Sequence, residues 1–203
     1  MRVLSAMPTL SLEGVGETSA EAGTSHAAEL AARLRTRDLA AIAEAYDAHH
    51  EALCSFAKRL LGDAHAAEDL VQDVFVVLPA VAHRYAPPAS LRSFLLGIAA
   101  NRAKHHRRSR LRLQNFFQRF VEEPAAEVET PERLTERHFL STLLARALDV
   151  LPLDHRTTFV LKEIEGYSAK EVGEILDIPE ATVRTRLFHA RGRLRAFLDG
   201  GVR

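Results

Sequence analysis

The stretch Tyr167–Arg195, YSAKEVGEILDIPEATVRTRLFHARGRLR, sets a capped helix, a tight turn and an arginine-studded helix in succession. Ser168 followed three residues later by Glu171 has the spacing of a capping box, in which each side chain satisfies an orphan backbone donor of the first turn. A helix is therefore expected from about Ala169. Val172, Ile175 and Leu176 fall at i, i+3 and i+4, Gly173 leaves room for a close helix crossing, and Pro179 can begin a second helix but not continue the first. In that second helix Val183, Leu187, Ala190 and Leu194 form the inward stripe, which leaves Arg184, Thr185, Phe188 and His189 together on another face. This is the pattern of a helix-turn-helix, whose second helix can reach base edges in a DNA major groove. An amphipathic helical hairpin with a solvated basic face fits the same residues when they are taken alone.

Composition bounds what surrounds this element. The chain has 203 residues, 47% of them hydrophobic, enough for one ordinary domain or two small ones. Its 27 lysines and arginines balance its 27 acids, yet the charges are segregated. Between Ala99 and Phe120 every charged residue is basic, and Glu122, Glu123, Glu127 and Glu129 follow without a basic residue among them. Local patches, not net charge, will select partners. The single cysteine, Cys54, cannot form an internal disulfide, which suits a reducing cytoplasm. No stretch reads as a signal peptide or a membrane span, so no membrane contact of its own is expected.

The organisation reads as all-α, with two small helical domains joined by a flexible linker. Residues 1–30 are rich in small and polar residues without sustained periodicity and read as a mobile tail. Residues 31–120 form the first helical unit. Leu39, Ile42, Ala43, Tyr46, Leu53, Phe56, Ala57 and Leu60 trace one expected stripe, closed by Gly62. Asp63 can cap the next helix, which turns Ala67, Leu70, Val71, Val74 and Leu78 inward and should kink or stop near Pro79. After a loop holding Tyr85, Pro87 and Pro88, Ser90 can cap a helix whose apolar face is Leu91, Phe94, Leu95 and Ile98 before it becomes strongly basic. Residues 121–130 read as an acidic linker. The second unit, 131–203, has Leu134, Leu144, Ala147, Leu148 and Leu151 as its first apolar set; Asp154 is a candidate cap, and Gly166 an exit.

Four blocks carry a family resemblance: AAEDLVQDVFV at 66–76, LRSFLLGIAANRAKHHRRSR at 91–110, LPLDHRTTFVLKEIEGYSAKEVGEIL at 151–176 and IPEATVRTRLFHARGRLR at 178–195. In this order and spacing the chain resembles a bacterial RNA polymerase sigma factor of the compact extracytoplasmic-function (ECF) group within the sigma-70 family. The resemblance implies that 31–120 is region 2, which binds core polymerase and the −10 promoter element, and that 131–203 is region 4, which binds the −35 element. It implies that Asp69, Gln72 and Asp73, off the Leu70 and Val74 line, dock on the clamp of the β′ subunit; a solvated acidic face is the plainer reading of those three residues. The second unit would meet the flap of the β subunit.

The basic helix is too densely cationic for solubility alone, and phosphates demand cations. The candidate −10 residues are Asn101, Arg102, Lys104, His105 and Arg108, with Tyr85 in the preceding loop. Tyr85 could stack on a flipped base or pack back on the core, and its sequence context favours neither. The resemblance carries −35 contact onto Arg184, Thr185 and Phe188, with His189 beside them and Arg191 as a phosphate contact. His189 and His105 depart from the family's usual residues, and the chain has no tryptophan. These departures bear on which promoter is read.

The histidine pairs His49-His50 and His105-His106 point about 100° apart on a helix and have no i, i+4 partner arrangement suited to one metal ion. No metal, cofactor or catalytic residue is therefore expected, and an anti-sigma factor is the further partner that the resemblance implies. The competing function from another class is a freestanding helix-turn-helix regulator that binds duplex DNA as a dimer. It would shift duplex DNA without polymerase.

Overall fold

The structure is a computed structural model that describes residues 17–87, 89–117 and 136–200, with side chains described at 26–87, 89–106 and 142–200. Among these residues the chain is helical throughout: α1 (Glu17–Arg35), α2 (Leu39–Leu61), α3 (Ala64–Val81), α4 (Leu91–Phe117), α5 (Glu136–Asp149), α6 (Leu153–Phe159), α7 (Ala169–Leu176) and α8 (Glu180–Gly200). The acidic linker expected at 121–130 lies outside the described residues.

Local chemistry sets most helix ends. The Asp38 carboxylate accepts from the Ala40 amide at the start of α2, and Asp63 accepts from Ala66 at the start of α3. Gly62 ends α2 in the left-handed region at φ 71°, its amide donating to the Lys58 carbonyl. The Ser90 hydroxyl accepts from the Ser93 amide at the start of α4. At α7 the Glu171 amide donates to the Ser168 hydroxyl and the Ser168 amide to the Glu171 carboxylate, completing the capping box.

Five expectations need correction. The tail expected at 1–30 is helical from Glu17, and α1 buries Leu30, Ala31 and Leu34, so the later part of this helix joins the core. In the first half of α2 the buried residues are Ala41 and Ala45, whereas Leu39 is 80% exposed and Tyr46 also reaches solvent. Small side chains take the inward positions there because α1 packs against α2. The α3 helix runs through Pro79 to Val81 before a 3₁₀ turn at Ala82–Arg84, since a missing amide this close to a helix end removes only one late hydrogen bond. Pro152, not Asp154, occupies the N-cap of α6, so Asp154 lies in its first turn with its carboxylate free to pair elsewhere. The expected inward Leu144 is exposed, and Leu134 lies outside the described residues.

The first unit packs α2, α3 and α4 together with α1 against them; the second packs α6, α7 and α8 with α5 at its edge. Their buried apolar residues form one continuous cluster from Leu30 to Ala190. Full burial of a leucine such as Leu53, Leu70, Leu95 or Leu161 contributes about 1.5–3 kcal/mol. A wide turn, Val160–Ile164, follows α6, with the Glu165 amide donating to the Val160 carbonyl, and Gly166 leaves it at φ 82°.

Gly173 fixes the helix-turn-helix crossing, because a Cβ there would lie 2.8 Å from the Ile178 carbonyl oxygen. Gly173→Ala should therefore destabilise the protein by about 1–3 kcal/mol through overpacking against backbone. Gly192→Ala, with open space around its Cβ on α8, should instead be neutral or stabilise by up to about 1 kcal/mol. Denaturant unfolding of both variants checks the pair, and equal effects would contradict this account of the turn.

Candidate nucleic-acid interface

The helix α8 buries Val183, Leu187 and Ala190 and turns Arg184, Thr185, Phe188, His189 and Arg191 to solvent. Phe188 is 74% exposed, too much for a residue serving the core. Its ring meets His189 edge-on, with centroids 5.5 Å apart. Arg184 pairs with Glu180 at 2.6 Å, and Arg191 with Glu163 at 2.6 Å. The Thr185 hydroxyl donates to the Ala181 carbonyl at 3.0 Å, which leaves its methyl and a lone pair facing outward.

On α4, Asn101 and His105 are exposed and Lys104 and Arg102 are half-buried. Asn101, Lys104 and His105 share one face by helical spacing, while Arg102 and His106 lie off it. The Arg108 side chain lies outside the described residues. Tyr85 does not join this face: it is 2% exposed, its ring packs on Phe94 at 5.4 Å, and its carbonyl accepts from Arg35 at 2.8 Å. Burial pushes its phenol pKa upward. In this conformation no ring face of Tyr85 can receive a base.

On α3, Asp69 and Gln72 are exposed, and Asp73 is half-buried with its carboxylate 2.9 Å from His106 Nε2. Val76, 77% exposed, continues the same face one turn further on. The face is thus acidic with an apolar end.

The two units meet through polar contacts that sequence reading did not foresee. Glu165, whose side chain is 7% exposed, pairs with Arg59 of α2 at 3.0 Å and with Arg92 of α4 at 2.6 Å. The buried Arg156 donates to the Leu60 carbonyl at the end of α2 and pairs with Asp149 at 2.9 Å. A cation at this point also complements the negative end of the α2 dipole. Asp154 holds Lys104 of the basic helix α4 at 3.3 Å and Arg186 of α8 at 3.6 Å. Gly97 lets α7 approach, since a Cβ there would lie 2.8 Å from the Ile175 carbonyl oxygen.

The residues 45–113 match the family model "Sigma-70 region 2" and residues 141–194 match "Sigma-70, region 4". The chain is 34% identical over 157 residues to the ECF RNA polymerase sigma factor SigL of Mycobacterium tuberculosis, covering 76% of this chain and 86% of that one. This chain belongs to the ECF sigma factors of the sigma-70 family. It is also 34% identical over 152 residues to the ECF RNA polymerase sigma factor SigE of Mycolicibacterium smegmatis, of whose length the match spans 58%. Among solved structures it is similar to the sigma factor RpoE of Bartonella quintana, in complex with the anti-sigma factor NepR, with TM-score 0.56, 27% identity, and coverage of 76% of this chain and 98% of that one. The all-α reading with two helical units therefore holds for this ECF sigma factor. Among its described residues, no helix is long and apolar enough to cross a membrane, and no group of three or more His, Cys, Asp or Glu side chains is placed to hold a metal ion.

Two expected outcomes follow from this geometry. Glu165→Gln keeps the shape but removes the charge between Arg59 and Arg92; because both arginines reach solvent, the loss should be about 1–2 kcal/mol. Small-angle scattering should show a larger radius of gyration, and an unchanged radius would contradict the role of this contact. The second concerns acid. Desolvation, and then Arg92, lowers the His49 pKa; desolvation, and then His189, Arg193 and Arg186, lowers that of His155. Each imidazole therefore takes up a proton less readily in the fold than in the unfolded chain, which protonates near the usual value of about 6.5. Below that pH the unfolded state binds more protons, so stability falls as pH drops through the mid-6s toward the lowered folded values, and neither group contributes above it. The melting temperature should decline between pH 7 and 5.5, less steeply in a His49→Gln, His155→Phe double variant; identical slopes would remove these histidines as the cause.

Proposed function

We propose that this chain is the promoter-recognition subunit of a bacterial RNA polymerase, with all catalysis residing in the polymerase. What carries the reading is the match to region 2 and region 4 models, in that order, on one chain. The exposed face of Asp69 and Gln72, with Asp73 at its edge and Val76 at its end, supports docking on the β′ clamp, because an acidic surface with an apolar end offers both charge complementarity and buried area. The second unit would sit against the β flap. Asn101, Arg102, Lys104, His105 and Arg108 are the candidate −10 contacts, and Arg184, Thr185, Phe188, His189 and Arg191 the candidate −35 contacts. Tyr85 leaves this set unless the loop that bears it opens. No cofactor is required, and the work is done in the cytoplasm.

The closed arrangement supports low DNA affinity in the free protein. Elements roughly 25 base pairs apart are separated by about 85 Å along B-form DNA, at about 3.4 Å per base pair. Asp154, by contrast, holds Lys104 and Arg186 from the two reading helices on one carboxylate. Both helices cannot read their elements until that contact parts. Core polymerase, by binding each unit separately, would favour the open form. An anti-sigma factor that grips both units would favour the closed one, a role suggested by the complex in which RpoE of Bartonella quintana was solved.

Opening the duplex also falls to the assembly. Flipping a base costs a few kcal/mol, and stacking returns about 1–3 kcal/mol per base, so phosphate contacts and polymerase must supply the rest.

Transcription from a library of randomised promoter fragments by purified core polymerase tests the reading. With this protein, new starts should share −10 and −35 elements, and the combination Asp69→Arg with Gln72→Ala should reduce them by tenfold or more while circular dichroism stays unchanged. Absence of new starts, together with a shift of duplex DNA by the protein alone, would replace this reading with that of a dimeric regulator.

A further inference from the structure

His155, on α6, is not among the DNA-contact candidates, yet its ring stacks on that of His189, with centroids 5.9 Å apart and planes 12° from parallel. His189 lies on the solvent face of α8 beside Phe188, so a base-reading candidate has a flat, partly buried floor beneath it. Histidine has only two χ angles, and a ring that stacks on one neighbour and meets another edge-on keeps few orientations. The groups facing His155 are His189, Arg186 and Arg193 from α8 and Asp154 from its own helix. Its buried Nδ1 has no hydrogen-bond partner among the described residues, so hydrogen bonding does not set this ring's placement from that atom.

We infer that His155 is a positioning residue for promoter specificity: by stacking it orients His189 so that one imidazole N–H points at the N7 acceptor of a purine in the −35 element. This inference rests on the −35 role proposed for α8. N7 is common to adenine and guanine in the major groove, whereas an arginine held bidentate to N7 and O6 selects guanine. The pair therefore selects purine over pyrimidine at one base position and does not distinguish the two purines. Phe188, edge-on to His189, is a second ring in contact with the same imidazole. The chain thus obtains, from a stacked histidine pair, a weaker and broader base preference than a guanidinium would give.

Promoter selection from a library randomised in the −35 element, with core polymerase and full-length protein, tests this. Wild type should favour purine at one position by about three- to tenfold, the range for a single base-edge contact weaker than a bidentate pair. His189→Ala should abolish that preference there and leave the other positions unchanged. His155→Ala should abolish the same preference at the same position, His155→Phe, which keeps a flat ring, should restore most of it, and His189→Arg should narrow it to guanine. Should His155→Ala retain the purine preference, or lower transcription uniformly across the library, the positioning role is overturned. Should His155→Phe behave as His155→Ala while both melt like wild type, stacking is not the means and the inference again fails. Loss of polymerase-dependent transcription by wild type itself would instead count against the function on which the inference rests.

Discussion

The carboxylate of Glu165 between Arg59 and Arg92 is the contact on which the arrangement of the molecule depends. It joins the exit of the wide turn after α6 to two helices of the first unit, and it is more deeply buried than either cation. A half-satisfied carboxylate at that depth would be costly, so the second unit is held where both guanidinium groups can reach it. Arg156 works in the opposite sense at the same boundary, offering a cation from the second unit to the end of α2. Charges of both signs are thus contributed across one interface, and the apolar cluster continues through it. This is a polar junction with an apolar interior.

The same economy appears on the reading surfaces. Lys104 and Arg186 share Asp154, Arg184 has Glu180, and Arg191 has Glu163. On the proposed reading, promoter phosphates would have to displace these carboxylates, so binding would exchange one anion for another instead of meeting a bare cation. Such exchange lowers net affinity and makes it depend on salt and on a partner that separates the units. His106 of α4 lies against Asp73 of α3, so the basic helix and the acidic face of α3 are in direct contact.

Much of this was legible in the chain because local rules govern it. The capping box at Ser168 and Glu171, the stripe Val183, Leu187 and Ala190, and the inward set of α3 follow from spacing and short-range hydrogen bonding alone. The readings that failed or stayed open were those decided by a distant element. Tyr46 and Leu39 look like core by periodicity, yet α1 selects Ala41 and Ala45 for the inside. Tyr85 could serve a base or the core, and only the placement of Phe94 and Arg35 decides. Asp154 looks like a cap, but Pro152 takes that position and frees the carboxylate to bridge the two reading helices. Glu165, Arg59 and Arg92 carry no local signal at all, since residues far apart in sequence meet only after the units dock. Sequence read the surfaces by charge and spacing; it could not read the closure between them.

Donor–acceptor distance between labels on the two units tests this account most directly. On a Cys54→Ser background, Ser55→Cys on α2 and Ala196→Cys on α8 place labels at exposed positions, one in each unit. The account predicts a single short distance in the free protein and an increase of tens of ångströms when core polymerase and promoter are added, in keeping with the roughly 85 Å between the two elements. A short distance that persists in a complex competent for transcription would contradict it.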